Sequence, residues 1–177
     1  MTVNKQGRYQ QSSRGEFTIS TDPTKLDVRA VHAFLTESYW AEGIPLEIVE
    51  RSLRNSLCFG LYEGKSQIGF ARVISDFATY AYLADVYVLE KYRGQGLAKW
   101  LMECIQQHPE LEGLRRWSLV TRDAHGFYEQ FGFTPLAKPE GYMERVVPDI
   151  YKQSAAGSPQ SSGKTRAKPQ RAQRSGK

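Results

Sequence analysis

The sequence predicts an α/β chain with a mixed sheet. Three observations lead there. Apolar residues recur at helical spacing in three separate windows, at 28–35, 46–53 and 97–105. Between and after them lie short runs rich in Val, Ile, Tyr and Phe, bounded by Gly, Asn, Asp and Ser, which is how strands read. The two patterns interleave in the order β-α-α-β-β-β-α-β-α-β, the signature of helices packed on a sheet.

The elements follow in order. "FTIS" at 17–20 is a short strand, and "TKLD" at 24–27 offers a capping box, with Thr24 as cap and Asp27 at the third position. Val28, Val31 and Leu35 continue at helical spacing. Pro45 stands at the first turn of a second helix, where a missing N–H costs nothing. Leu46, Val49 and Leu53 share one of its faces, and it ends near Asn55. "LCFGLY" at 57–62, "EGKS" and "QIGFARVIS" at 67–75 form a hairpin, and "AYLADVYVL" at 81–89 is the next strand. Leu97, Trp100, Leu101, Cys104 and Ile105 fall at i, i+3, i+4, i+7 and i+8 of an amphipathic helix that His108-Pro109 stops. "RRWSLVT" at 115–121 is a strand. "DAHGFYEQFG" at 123–132 is a short helix with Asp123 as its N-cap and Gly132 as its C-terminal cap. "FTPLA" and "YMERVV" read as closing strands.

Composition bounds the class. The chain is 177 residues, 40% hydrophobic, enough for one domain with a real core. Of its 24 Lys and Arg, seven lie in 152–177, which holds no Asp or Glu. That leaves 17 basic against 19 acidic residues in 1–151, so the folded part is mildly acidic and the net +5 belongs to the tail. The expected organisation is a flexible segment at 1–15, a domain at 16–151 and a basic disordered tail at 152–177. The tail is either a solubilising run or a weak contact for nucleic acid or an anionic surface. No apolar run approaches the ~18 residues of a membrane span, and the N-terminus lacks an apolar leader. Cys58 and Cys104 sit inside apolar patterns and read as buried thiols. Together these predict a cytoplasmic protein with no membrane partner. Oligomeric state is not legible.

The most informative stretch is "EKYRGQGLAKWLM" at 90–102, where a strand gives way to a helix through two glycines and an arginine. The first amides of a helix have no partner inside it, and the aligned peptide dipoles add positive potential there. Glycines let an anion approach that backbone, so the turn is suited to phosphate. It is neither a P-loop nor a dinucleotide fingerprint: GxxxxGK[ST] is absent and "GQGLAK" lacks the third glycine. A plain glycine-assisted turn is the alternative.

"RGQGLA" fits the R-x-x-G-x-A/G pattern of the Gcn5-related N-acetyltransferase (GNAT) family, with Arg93, Gly96 and Ala98 on the diagnostic positions. "DVYVLEKY" at 85–92 resembles that family's fourth strand, and "FYEQFGF" at 127–133 its second signature. The resemblance covers about 17–150. It implies a mostly antiparallel twisted sheet whose fourth and fifth strands splay apart, and acetyl transfer from acetyl-CoA to a primary amine by direct attack. It also implies that Val86, Tyr87 and Val88 line the pantetheine arm. Arg93, Gly94, Gln95, Gly96, Leu97 and Ala98 would hold the pyrophosphate. Tyr128 matches the tyrosine beside the coenzyme sulfur. One departure is Thr121, which stands where many members carry Asn.

Direct transfer also needs a proton acceptor for the amine. Asp85, an acid within an apolar strand, is the leading candidate, with a structural hydrogen bond as its alternative. His125, three residues before Tyr128, is the second, or else a surface histidine. Tyr39 and Trp40, flanked by Glu37 and Glu42, would suit a small amine or peptide acceptor, with Phe77, Tyr80 and Tyr82 as an opposite wall; all could equally be core and solvated groups. His32, His108 and His125 make no metal spacing with the cysteines, so no metal is expected. No G-x-S-x-G elbow supports a hydrolase. An acetyl-CoA-dependent N-acetyltransferase is the first reading. A non-catalytic acyl-CoA-binding module with a basic docking tail is the alternative.

Overall fold

The computed structural model describes residues 2–3 and 9–151. The expected basic tail at 152–177 lies outside the described residues. Seven strands form one sheet in chain order: β1 (Thr2–Val3), β2 (Gln10–Arg14), β3 (Phe17–Ser20), β4 (Leu57–Glu63), β5 (Ser66–Ser75), β6 (Tyr80–Val88) and β7 (Arg116–Ser118). Every neighbouring pair is antiparallel except β6 and β7, which are parallel. The helices are α1 (Val28–Glu37), α2 (Leu46–Arg54), α3 (Leu97–Gln106) and α4 (His125–Glu129).

Side chains alternate across a strand, and here the alternation builds two cores. Phe59 and Leu61 of β4, with Val73, Ala81 and Leu83, pack against Leu97, Trp100, Leu101, Cys104 and Ile105 of α3. On the other face Cys58, Phe70 and Tyr87 meet Val31 and Leu35 of α1 and Val49 and Leu53 of α2. The helical spacings of the sequence are thus the buried stripes of α1, α2 and α3. Both cysteines are free and buried.

Several local expectations are corrected. Gln10–Arg14, placed in a flexible segment, forms β2, because the edge of β3 is available to pair with it. Its "QQSSR" has no apolar alternation to announce a strand. The cap of α1 is Asp27 itself, which accepts from the Ala30 amide at 3.0 Å. Thr24 instead belongs to a turn that Asp22 closes, accepting from the Thr24 amide at 2.9 Å and its hydroxyl at 2.7 Å. Asp123 caps no helix; the Thr121 hydroxyl accepts from the Ala124 amide at 3.1 Å. Gly132 does terminate α4. With φ +83° it lets its amide reach Glu129 O at 3.1 Å and the Phe133 amide reach Tyr128 O at 3.3 Å, a Schellman pair. The strand at 115–121 pairs only over three residues. "FTPLA" and "YMERVV" form no strand among the described residues, and Met143 is 97% exposed. Their pattern fits a strand, but strand propensity expresses itself only against a partner, and Pro135 removes one donor.

Burial pushes the Cys58 thiol up to about 12, and the buried Tyr62 and Tyr87 phenols are raised in the same sense. The neutral forms are the ones the fold favours. Their stabilisation is complete below the ordinary thiol value near ~8.5 and is lost as pH climbs through the raised values. Thermal melts should therefore hold level from about pH 6 to 8.5 and fall steadily above about pH 9. Cys58→Ala should flatten the first part of that fall.

Candidate active site

The site begins where β6 loses its neighbour. Tyr80, Ala81 and Tyr82 pair with Arg116, Trp117 and Ser118, and the Tyr80 hydroxyl bonds the Ser118 hydroxyl. Beyond that point the chain at 119–121 turns away. Among the described residues no strand lies on that side of β6 from Leu83 to Val88. The Leu89 amide donates to Ile68 O on β5 at 2.8 Å, so alternation turns the backbone groups of Val88, and of Val86 before it, to the open side. The Val88 carbonyl there accepts from Arg93 Nε at 3.2 Å. Tyr87 faces the helices, its ring stacked on Phe34 with centroids 3.7 Å apart.

At the end of this open edge stands the glycine turn. Gly94 and Gly96 take φ +78° and +74°, a conformation that costs other residues energy, and Gly96 precedes the first turn of α3. A Cβ at either would meet nothing within 4 Å, so both glycines leave open space above the backbone. Among the described residues no acceptor is assigned to the amides of Gly94 through Ala98. Gln95 is exposed, Ala98 half-buried, and Leu97 anchors the turn in the core. Unpaired amides, a helix dipole and no side chain in the way fit an anion of diphosphate type.

The gap itself is a cavity of about 490 Å³. Val86 and Asp85 wall it from β6, Thr121 and Tyr128 from the β7–α4 side, and Tyr39 and Trp40 from the α1–α2 connection. A second cavity of about 290 Å³ adjoins it, with Thr121 and Tyr128 common to both and His125 on its far side. A further cavity of about 610 Å³ lies between Arg116 and Trp117 of β7 and the segment 131–142, and contains none of the expected site residues. Tyr82 joins the cleft wall, whereas Phe77 sits in the exposed β5–β6 turn.

Tyr128 is held by aromatic edges, with Phe127 at 5.1 Å and Phe133 at 5.9 Å between centroids. Burial, and secondarily Tyr39, push its phenol up to about 12, so it carries its proton throughout the physiological range.

Asp85 lies in the cleft, as expected of a candidate base, but it is already committed. Ala84 pairs with Arg72 and Tyr87 with Phe70, so Asp85 and Val86 together oppose Ala71 in a bulge. Asp85 takes φ +54° there. Its Oδ2 accepts from Arg72 Nε at 2.6 Å and its Oδ1 from Trp40 Nε1 at 3.2 Å. Arg72 Nη1 in turn donates to Ser56 Oγ at 3.3 Å. On the opposite lip Arg122 lies 3.9 Å over the Tyr39 ring, and its amide donates to the Tyr39 hydroxyl at 3.3 Å. Sequence reasoning missed Arg72, Trp40 as a partner of Asp85, and Arg122. The signal available was a second charge, Arg72, inside the apolar run of the neighbouring strand.

Comparison with known proteins agrees with this geometry. Residues 54–135 match the acetyltransferase (GNAT) domain. A Gibberella zeae protein named as an acetyltransferase is 33% identical over 156 residues, covering 75% of this chain and 87% of that one. A GNAT-family crystal structure from Xanthomonas campestris is 50% identical, covers 76% of this chain and 96% of its own, and superposes with a TM-score of 0.75. At the level of fold alone, a Clostridium acetobutylicum acetyltransferase structure with acetyl-CoA superposes with a TM-score of 0.54 at 14% identity, covering 78% of this chain and 95% of that one. Signatures, sheet topology and relatives converge: this chain is an acetyltransferase of the GNAT family.

Proposed function

We propose that the protein transfers the acetyl group of acetyl-CoA to a primary amine by direct attack. The observation that carries this is the edge of β6 from Leu83 to Val88, which no strand pairs among the described residues and which leads to the amides of Gly94 through Ala98. The pantetheine arm, with its own amides, is the partner that edge lacks, and the diphosphate suits the glycine turn. Tyr128 then stands at the cleft wall where the thioester would end.

In this reading the neutral amine attacks the thioester carbonyl carbon, a C–N bond forms, and the carbonyl oxygen takes up the charge. Collapse re-forms C=O and breaks C–S. The coenzyme leaves as thiolate, and the amide nitrogen gives up its proton. Magnitudes decide the part of Tyr128. A phenol at about 12 facing a thiol of ordinary value near ~8.5 would give up its proton only at a cost of about 5 kcal/mol. Tyr128 therefore stabilises the departing sulfur by donating a hydrogen bond, and the proton that finally neutralises it comes from the amine through water. Thr121 retains its own O–H for a coenzyme contact, because its oxygen serves Ala124 as acceptor. His125 lines the adjoining cavity, only as a wall residue in this reading.

Thiol release from acetyl-CoA, measured with benzylamine, tyramine, spermidine, lysine and a hexapeptide with a free N-terminus, tests the reading. At least one amine should drive release. Tyr128→Phe should lower kcat about 100-fold with the coenzyme Kd unchanged by calorimetry. Tight coenzyme binding with no turnover in the presence of any amine would favour the non-catalytic binding module instead. Gly96→Ala should cost about 1–2 kcal/mol of stability through its left-handed backbone, and should weaken acetyl-CoA at least about tenfold because the new Cβ enters the anion's space. Undiminished affinity would place the diphosphate elsewhere.

A further inference from the structure

We propose that Asp85 is a positioning residue, not the base: through Trp40 it seats the α1–α2 connection against the acceptor side of the cleft. The inference rests on the transferase reading above for its kinetic consequences, and on geometry alone for the clasp itself.

Three observations meet at one carboxylate. Asp85 occupies a bulge at positive φ, which aims its side chain into the cleft rather than along the sheet. Its side chain is 9% exposed and that of Arg72 15%, so the two charges neutralise each other within the protein. Its second oxygen reaches a residue 45 positions earlier, Trp40, whose ring is otherwise 44% exposed. Trp40 has few other constraints: it meets Tyr39 edge-on at 4.9 Å and Phe34 at 6.3 Å. Tyr39 is held by the opposite lip, under Arg122 and against its amide. Two adjacent residues of one connection therefore grip both sides of the gap, Trp40 on β6 and Tyr39 on the segment after β7.

Two consequences follow. Each Asp85 oxygen already accepts from a donor that the fold supplies, so the carboxylate's orientation is set by Arg72 and Trp40 rather than by an incoming amine. Whatever enters the cleft from this side passes the Tyr39–Trp40 pair, so the clasp sets acceptor affinity. The Tyr39 and Trp40 rings form the surface the acceptor meets, beside an Asp123 carboxylate that lies 3.5 Å from Arg122. That favours amines carrying a flat or apolar body over compact cations.

The test has two arms on the full-length protein. In the first, the indole N–H signals of the three tryptophans are recorded by ¹⁵N–¹H correlation, with Trp40→Phe assigning Trp40. Asp85→Asn should shift the Trp40 signal and leave those of Trp100 and Trp117 in place. An unmoved Trp40 signal overturns the clasp, and does so whether or not any amine turns over. In the second arm, kinetics are measured with the best amine of the panel above. Asp85→Asn and Trp40→Phe should each raise the amine KM about tenfold, with acetyl-CoA Kd within about twofold of the parent and the acidic limb of kcat/KM at the same pH. The double variant should be little worse than the worse single one, since both act through one bond. A fall in kcat of about 100-fold with loss of the acidic limb in Asp85→Asn, while Trp40→Phe behaves normally, would make Asp85 the base. Trp40→Phe changes only an exposed ring, so the inference stays testable should Asp85→Asn fold poorly. Failure of the transferase reading is seen separately, as absent turnover in the unaltered protein.

Discussion

Everything at this site depends on a strand that outruns its partner. β6 is nine residues long, and β7 pairs with three of them. A central strand with one bare edge is a poor solution for a sheet, because unpaired backbone donors and acceptors must find other partners. Here the bare edge opens into a cavity, and it runs toward a helix start whose amides are also unpaired. The two deficits point along one line. A ligand combining an amide-bearing arm with a diphosphate satisfies both, which is why the reading centres on backbone and not on a cluster of reactive side chains.

The side chains play a subordinate but specific part. Two opposite charges on adjacent strands cancel at the bulge, and the sheet tolerates them because each also holds a further hydrogen bond. The remaining walls mix aromatic rings with aliphatic side chains. Burial raises the Tyr128 phenol, which favours donating a hydrogen bond over releasing the proton. Such a site is built to shape and exclude rather than to titrate, which suits the proposed transfer from a thioester.

What was legible in the sequence follows from which interactions are local. The stripes of α1, α2 and α3 were read correctly because burial on one face of a helix repeats at fixed spacing. The glycine turn was legible as backbone because only glycine takes its angles cheaply, and the presence of Tyr128 in the cavity wall matches where the second signature put it, its role remaining a proposal. β2 was hidden: "QQSSR" becomes a strand only because β3 offers an edge. The same dependence on a partner worked in reverse for 142–147, whose apolar pattern finds none among the described residues. Asp85 was noticed as a misplaced charge, yet its role turned on register. Only the pairing of Arg72 with Ala84, and the extra residue of the bulge beside it, bring Arg72 to the carboxylate. Trp40 reaches it from 45 residues away, a contact no spacing rule encodes.

The most direct test of the central claim is amide hydrogen exchange, resolved by residue, with and without coenzyme A. The bare edge and the glycine turn should exchange rapidly in the free protein, and coenzyme A should slow exchange at Val86, Val88 and Gly94 through Ala98 while leaving β2 and β3 unchanged. Protection confined to other segments, or no protection at saturating coenzyme, would contradict the assignment of this edge as the binding surface.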